Sequence, residues 1–325
     1  MVSLAFVHES RSSFILQDLE ILSAIMPVKA VRWSNVTKIG MLLRAVMRSD
    51  ITFIWFSSGQ AATIAFVLAR IFGKKVIAVA GGSEVCPDKD IHGSGLRSAI
   101  RFLLTRIILS NSDYVIPVSE FTKREVLAIS SPRNLSVVHH GIDTDWFRPD
   151  DRKDSSILTV AAGRTWDQVG RKGLDRFAKL AGCLPERRFI IVGEAAAKPQ
   201  IRKMFPENVR ITGKVSKSIL TSYYQRARFY CQLSRHEGFG VAVAEAMACK
   251  CVPVVSDSGA LPEVVGECGV VVPDGDPAKS AKAIEELWDH CEELGESARY
   301  RVRRLYSVEQ RVSGFKAVLS DVGCL

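Results

Sequence analysis

The 325-residue chain offers no convincing Asp-x-Asp or histidine cluster at a strand end, and no G-x-G-x-x-G follows its first apolar run. The first absence removes the usual carboxylate or imidazole set for a divalent ion. The second disfavours a dinucleotide-dependent dehydrogenase. Long apolar runs are also missing. The greasiest stretch, 51–82, is broken by Gln60, Arg70, Lys74 and Lys75, whereas a helical membrane span needs about 20 apolar residues. The first ten residues lack the basic region and apolar stretch of a signal peptide and read as a strand that starts at once. The eight cysteines show no disulfide or zinc pattern: Cys249 and Cys251 are two apart, and others, such as Cys231 and Cys268, lie in apolar contexts. Buried free thiols in a reducing, cytoplasmic compartment are expected.

What is present is an ordinary globular composition, 47% hydrophobic and 24% charged, in a length that suits two domains. The net charge of +9 draws the protein towards anions. The basic residues are spread along the chain, with no recognised motif or aromatic-basic platform for nucleic acid. A mildly basic enzyme is the plainest reading; a phosphorylated substrate or an anionic membrane surface would also use the charge.

The first half alternates apolar runs with helical periodicity. Strands are expected at 3–7, 51–56, 76–80, 114–117 and 135–139, and helices at 13–25, 38–47, 60–72, 96–109 and 120–129. Strands apolar on both faces and separated by helices imply a parallel sheet covered on both sides. The charged, proline-containing stretch 146–154 marks a boundary, after which the pattern restarts. The second half has expected strands at 157–161, 189–192, 209–212, 229–233, 252–255 and 270–272. Its helices are expected at 173–181, 216–227, 240–248 and 277–294, with a last amphipathic helix at 308–319. The expected fold is therefore α/β, with two doubly wound Rossmann-like domains, 1–149 and 150–306, facing a cleft, and the C-terminal helix of 307–325 returning to the first.

The strongest chemical signal is Glu237-Gly238-Phe239-Gly240-Val241-Ala242-Val243-Ala244-Glu245-Ala246-Met247-Ala248. A strand leads in and a helix leads out. Glycines let backbone N–H groups approach a ligand, and the helix N-terminus suits a diphosphate. Glu245 lies eight positions after Glu237, a little over two turns. Both carboxylates can therefore serve one elongated ligand, accepting from adjacent hydroxyls. A solvated helix-face acid would be the bland reading of Glu245, but its helix is apolar, and a buried charge without a partner costs several kcal/mol. The second signal is Gly163-Arg164 after a strand, followed by Arg171-Lys172-Gly173-Leu174. Arg164 supplies a fork and Lys172, or alternatively Arg171, a point charge for a diphosphate; a solvated basic loop is the competing reading.

These motifs, in this order, resemble the retaining glycosyltransferases of family 4, which have the GT-B fold and the group 1 domain. The matching pieces also include Gly193-Glu194, Thr212-Gly213-Lys214-Val215 and Ser258-Gly259-Ala260-Leu261-Pro262-Glu263. Earlier, Asp113-Tyr114-Val115-Ile116-Pro117-Val118-Ser119, His140-Gly141-Ile142-Asp143 and Trp146-Phe147-Arg148-Pro149 match as well. Roughly residues 110–310 carry the resemblance. It implies a nucleotide-sugar donor, such as a UDP- or GDP-sugar, as substrate, with no cofactor and no metal. Arg164 and Lys172 would bind its diphosphate, Glu237 its sugar and Glu245 its ribose. Backbone around Gly163, Gly238, Phe239 and Gly240 would cradle the phosphates and sugar, with Val215 near the base. The acceptor would be a glycan or a lipid-linked molecule. Where relatives carry a glycine-rich loop, this chain reads His8-Glu9-Ser10-Arg11-Ser12-Ser13-Phe14, and where they carry histidines it reads Trp55-Phe56-Ser57-Ser58 and Gly81-Gly82-Ser83-Glu84. His140 replaces a usual asparagine and Ala260 a glycine. No catalytic histidine is carried over; His8 and Glu84 are the N-terminal candidates, with a structural role the favoured reading of each.

The competing functions are a nucleotide-sugar epimerase and a non-catalytic GT-B binding protein; intact Arg164, Lys172, Glu237 and Glu245 speak against the latter. Residues 95–110 carry Arg97, Arg101 and Arg106 beside Ile100, Leu103, Leu104, Ile107 and Ile108. An ordinary domain helix with a basic outer face is the favoured reading there, and peripheral contact with an anionic membrane at its inner face the alternative.

Overall fold

In the computed structural model, which describes residues 2–86, 96–150, 153–161, 165–194 and 199–324, the apolar runs form two separate parallel sheets. The first comprises β1 (Leu4–His8), β2 (Val28–Arg32), β3 (Ile51–Trp55), β4 (Lys75–Ala80) and β5 (Tyr114–Pro117), in the order β2-β1-β3-β4-β5. All its pairings are parallel. Strands β1 and β3 are buried along their whole length, as continuous apolar runs require. Helices Ile39–Met47 and Gln60–Ile71 cover the sheet through Leu42, Val46, Ala61, Ala65 and Phe66, which pack on Ala5, Val7 and Ile54.

The second sheet comprises β6 (Ser156–Val160), β7 (Arg188–Val192), β8 (Val209–Ile211), β9 (Phe229–Gln232), β10 (Val252–Ser256) and β11 (Val270–Val272). Its order is β11-β10-β9-β6-β7-β8, again parallel throughout. Ile157, Phe177, Phe189, Phe229 and Trp288 centre its core. Helix starts carry the expected caps: Ser119 accepts the Thr122 N–H at 2.9 Å and Asp276 that of Lys279 at 2.8 Å.

The chain divides into two compact units, Met1–His140 with Glu309–Leu325, and Gly141–Val308. Residues 141–149, which the sequence grouped with the first half, belong to the second. There the Ile142 N–H donates to the Tyr306 carbonyl (2.7 Å), Trp146 Nε1 to Thr221 Oγ1 (2.9 Å), and the Arg299 guanidinium to the Phe147 carbonyl (3.1 Å). Asp143 of the triplet Asp143-Thr144-Asp145 accepts the Trp146 N–H at 2.8 Å, a turn-forming role.

The C-terminal helix Val308–Asp321 is held in the first unit by a buried ion pair. Arg311 Nε and Nη2 donate to the two carboxylate oxygens of Asp18 at 2.5 and 2.6 Å, and neither side chain is exposed. Trp55 Nε1 donates to the same carboxylate at 2.7 Å.

Two expected elements need correction. Residues 135–139 form no strand: Leu135 makes a single bridge to Val115, and the Val138 and His139 carbonyls accept from Arg311 rather than from a ladder. The helix expected over 277–294 is two, Pro277–Leu287 and Cys291–Leu305. It breaks where Trp288 stacks on Phe229, ring centroids 5.5 Å apart, and gives its carbonyl to Arg228. Strand β2 went unread because it is an edge strand with only Val31 buried among its five residues.

Candidate functional site

In the second unit, two glycines let separate segments close on the end of β9. Gly173 has φ +66°, and a Cβ there would lie 1.9 Å from the Leu233 carbonyl oxygen. Gly259 has φ +67°, and its Cβ would lie 2.3 Å from the Glu237 carbonyl oxygen. No other residue permits either approach. The Ala260 N–H then donates to that Glu237 carbonyl at 2.9 Å.

This packing brings Lys172 and Glu237, 65 positions apart, into an ion pair of 2.6 Å. Their side chains are 28% and 14% exposed, so the pair is largely withdrawn from water. Glu237 Oε1 also accepts from Ser234 Oγ (3.1 Å) and Gln232 Nε2 (3.3 Å). Gln232 is in turn held by the Tyr230 hydroxyl at 2.8 Å. Burial acts to raise the Glu237 pKa, but the Lys172 ammonium, the Ser234 hydroxyl and the Arg171 charge outweigh it and hold the carboxyl below its usual range. Glu237 is therefore an ionised acceptor fixed beside a cation, at the start of helix Val241–Ala248.

Glu245 projects from that helix, half-buried, and accepts the Tyr224 hydroxyl at 3.0 Å. Burial pushes its carboxyl up to about 7, against the opposing pull of Tyr224 and Lys217. Both glutamates act on Tyr230 through their charge. Burial first, and then the charges of Glu237 and Glu245, raise the Tyr230 hydroxyl well above its usual range.

The raised value for Glu245 has a definite sign. Its contribution to stability is full below the unfolded value of 4.5 and is lost as pH rises through about 7. Glu245→Gln should therefore flatten the fall in melting temperature between about pH 4.5 and 7. Parallel melting curves for variant and parent across that window would show the carboxyl to be solvated instead.

Phe239 is buried and edge-on to Tyr306, ring centroids 5.3 Å apart, while Gly238 and Gly240 stay partly open on either side. Val215 is half-buried in the loop between β8 and helix Lys217–Arg226. Gly163 and Arg164 lie outside the described residues. Of the two basic alternatives, it is Lys172 whose ammonium bonds Glu237. Sequence reasoning missed Gln232, Tyr230 and Tyr224, and gave Ser234, the first residue of the stretch 234–248 that carries the resemblance, no role of its own. Only Tyr224 and Gln232 left a signal: an aromatic in a polar helix segment and an amide within an apolar strand.

In the first unit, His8 is buried, with Nδ1 2.7 Å from the Ser10 carbonyl and its ring edge-on to Phe6. That satisfies its Nδ1 locally. Glu84 is different. Its Oε1 accepts the Gly81 N–H at 2.6 Å, Oε2 is buried without a hydrogen-bond partner, and burial, with Glu125 adding to it, raises the carboxyl to about 7. Glu84 borders a cavity of about 210 Å³ beside Phe56, a non-glycine residue at φ +63°.

Two family models match the chain: Glycosyltransferase Family 4 over residues 13–146 and Glycosyl transferases group 1 over residues 157–290. One component of the phosphatidylinositol N-acetylglucosaminyltransferase of Arabidopsis thaliana is 25% identical over 82% of this chain and 61% of its own length. A GDP-mannose:cellobiosyl-diphosphopolyprenol alpha-mannosyltransferase of Xanthomonas oryzae is 30% identical over 58% of this chain and 52% of its own. A D-inositol 3-phosphate glycosyltransferase of Mycobacterium bovis is 28% identical over 61% of this chain and 46% of its own. The chain thus spans about half to three-fifths of these curated relatives. Among solved structures, Anabaena HepE in complex with UDP and glucose superposes with a TM-score of 0.80 at 13% identity, over 98% of this chain and 100% of that one. Sucrose-phosphate synthase from Thermosynechococcus elongatus gives 0.78 at 16% identity, over 99% of both chains. These likenesses show the fold: two parallel-sheet α/β domains of GT-B type.

Proposed function

Given that the chain belongs to the family 4 glycosyltransferases of GT-B fold, we propose that it moves a hexosyl group from a nucleotide-sugar donor to an acceptor hydroxyl with retention of configuration and without a metal ion. The observation that carries this reading is the Lys172–Glu237 pair, fixed at the end of β9 where the next helix begins. The donor's diphosphate, which bridges nucleoside and sugar, draws the Lys172 ammonium and the N-terminus of helix Val241–Ala248, and Arg164 completes the charge. Glu237 then accepts from hydroxyls of the donor sugar and Glu245 from those of the ribose. As the bond from the sugar's anomeric carbon to the diphosphate oxygen breaks, its electron pair passes to the diphosphate. The acceptor oxygen bonds that carbon on the same face, and its proton leaves to the departing diphosphate. Fixed positive charge beside the leaving oxygen lowers the barrier because it needs no reorganisation.

HepE in complex with UDP and glucose supports a nucleotide-sugar donor. The three curated relatives are named for acceptors or substrates bearing phosphate, which supports a phosphorylated, lipid-linked or glycan acceptor for this chain. The eight cysteines, five of them buried and none in a disulfide among the described residues, support a reducing, cytoplasmic compartment. No described helix is long and apolar enough to cross a membrane.

Transfer should persist in EDTA, since fixed cations take the place of a divalent ion at the leaving group. An assay of sugar transfer with and without chelator checks this. Complete loss restored by Mg²⁺ or Mn²⁺ would mean that the diphosphate is held by a metal instead.

A further inference from the structure

The first unit has a larger cavity, of about 940 Å³, that the donor chemistry does not use. It opens beyond the carboxyl ends of β1, β2 and β3, reached through Glu9, Trp33 and Gly59. The strand order β2-β1-β3 makes this the point where the chain reverses its direction of travel across the sheet, since β1 leads to β2 on one side and the next strand returns to the other. Open parallel sheets bind ligands at such a point.

The lining has two chemistries. Arg32, Arg97 and Arg101 supply three guanidinium groups, and none of them makes an ion pair among the described residues. Trp33, Ile100 and Leu104 supply an apolar wall. The acid among the lining residues, Glu9, is already engaged. Its Oε1 accepts the Ala61 N–H at 3.1 Å, in the first turn of helix Gln60–Ile71. The cavity is left with net positive character. The helix that carries Arg97 and Arg101 also leaves Leu96, Leu103 and Ile107 exposed, at 77%, 53% and 42%. Exposed apolar side chains on the helix that lines the cavity suit a hydrocarbon-bearing ligand.

Guanidinium forks match phosphate oxygens, and an apolar wall beside them matches a hydrocarbon chain. We propose that this cavity binds the phosphate-bearing head of an aliphatic acceptor, with Arg32, Arg97 and Arg101 on the phosphate and Trp33, Ile100 and Leu104 along the first carbons of the chain. This rests on the reading of the protein as a glycosyltransferase and names the class of acceptor its N-terminal unit takes.

The test uses the full chain and three probes by calorimetric titration: geranyl phosphate, geraniol and inorganic phosphate. Geranyl phosphate should bind saturably, and each of the other two at least tenfold more weakly, because each meets only half of the lining. R97Q/R101Q should weaken geranyl phosphate by at least tenfold while leaving nucleoside diphosphate binding unchanged. R32Q, on the end of β2 rather than on that helix, gives the same readout if the double variant does not fold. Equal binding of geraniol and geranyl phosphate, or binding unmoved by both variants, overturns the proposal. So does capture of the chain on phosphatidylcholine vesicles containing phosphatidic acid with no binding of geranyl phosphate, which would make the basic helix a membrane contact instead. Loss of nucleoside diphosphate binding in the parent protein, with geranyl phosphate still bound, would count against the glycosyltransferase reading and leave the cavity assignment standing.

Discussion

Replacing Lys172 with alanine should lower turnover about ten- to a hundredfold. A hydrogen bond to a charged group contributes roughly 1.5–3 kcal/mol, and each 1.4 kcal/mol is a factor of about ten in rate. Glu237→Gln should cost a comparable factor, because the contact proposed for it with the reacting sugar would be expressed mainly in the transition state. The 2.6 Å pairing adds a condition that separate roles would not. Each residue holds the other in place, so the double variant should be little worse than the more damaged single one. Steady-state kinetics of the three variants checks this. A double variant whose loss equals the product of the singles would mean that the two act independently, and full activity in it would remove both from the site.

The largest expected effect on folding lies far from that pair in sequence. Arg311→Leu should destabilise the first unit by about 3–5 kcal/mol, the usual consequence of leaving one member of a buried pair uncompensated. Asp18 would keep a buried charge with only the Trp55 N–H to meet it, and the Val138 and His139 carbonyls would lose their donor. Typical domains have only about 5–15 kcal/mol in total. The variant should therefore melt many degrees lower and release the C-terminal helix to proteolysis. Asp18→Asn should do the same more mildly, since the amide still offers an oxygen. A melting curve within a degree or two of the parent for Arg311→Leu would show that the pair holds nothing together.

How much of this could be read from sequence depended on where the determining contacts lie. Local contacts were legible. The helices Ser13–Ile25 and Glu120–Ile129 and the strand Tyr114–Pro117 have the expected bounds, because apolar periodicity and the Ser119 cap are properties of adjacent residues. Glu237 and Lys172 could be named individually from their loops. Their ion pair could not, because it depends on Gly173 and Gly259 closing against segments 60 and 22 residues away. Glu245 was singled out by an acid in an apolar helix, but its partner Tyr224 lies 21 residues earlier in a helix with no obvious apolar stripe. Strand β2 was hidden by Lys29 and Arg32, which an exposed edge tolerates. The break after Leu287 was hidden for another reason: the stacking of Trp288 on Phe229 is a tertiary choice that helical periodicity does not record.

The most direct measurement of the donor assignment is a calorimetric titration of the protein with UDP and GDP, repeated with Glu245→Gln and Glu237→Gln. One nucleoside diphosphate should bind selectively. Glu245→Gln should weaken it by about tenfold, because an amide at the ribose position accepts fewer hydroxyl bonds than a carboxylate. Glu237→Gln should leave it within about twofold of the parent while transfer falls, because the amide oxygen still accepts from Lys172 and keeps the ammonium beside the diphosphate. Binding of neither nucleotide, or affinities untouched by both changes together with unchanged transfer, would make the two glutamates structural and contradict the assignment of this site to a nucleotide-sugar.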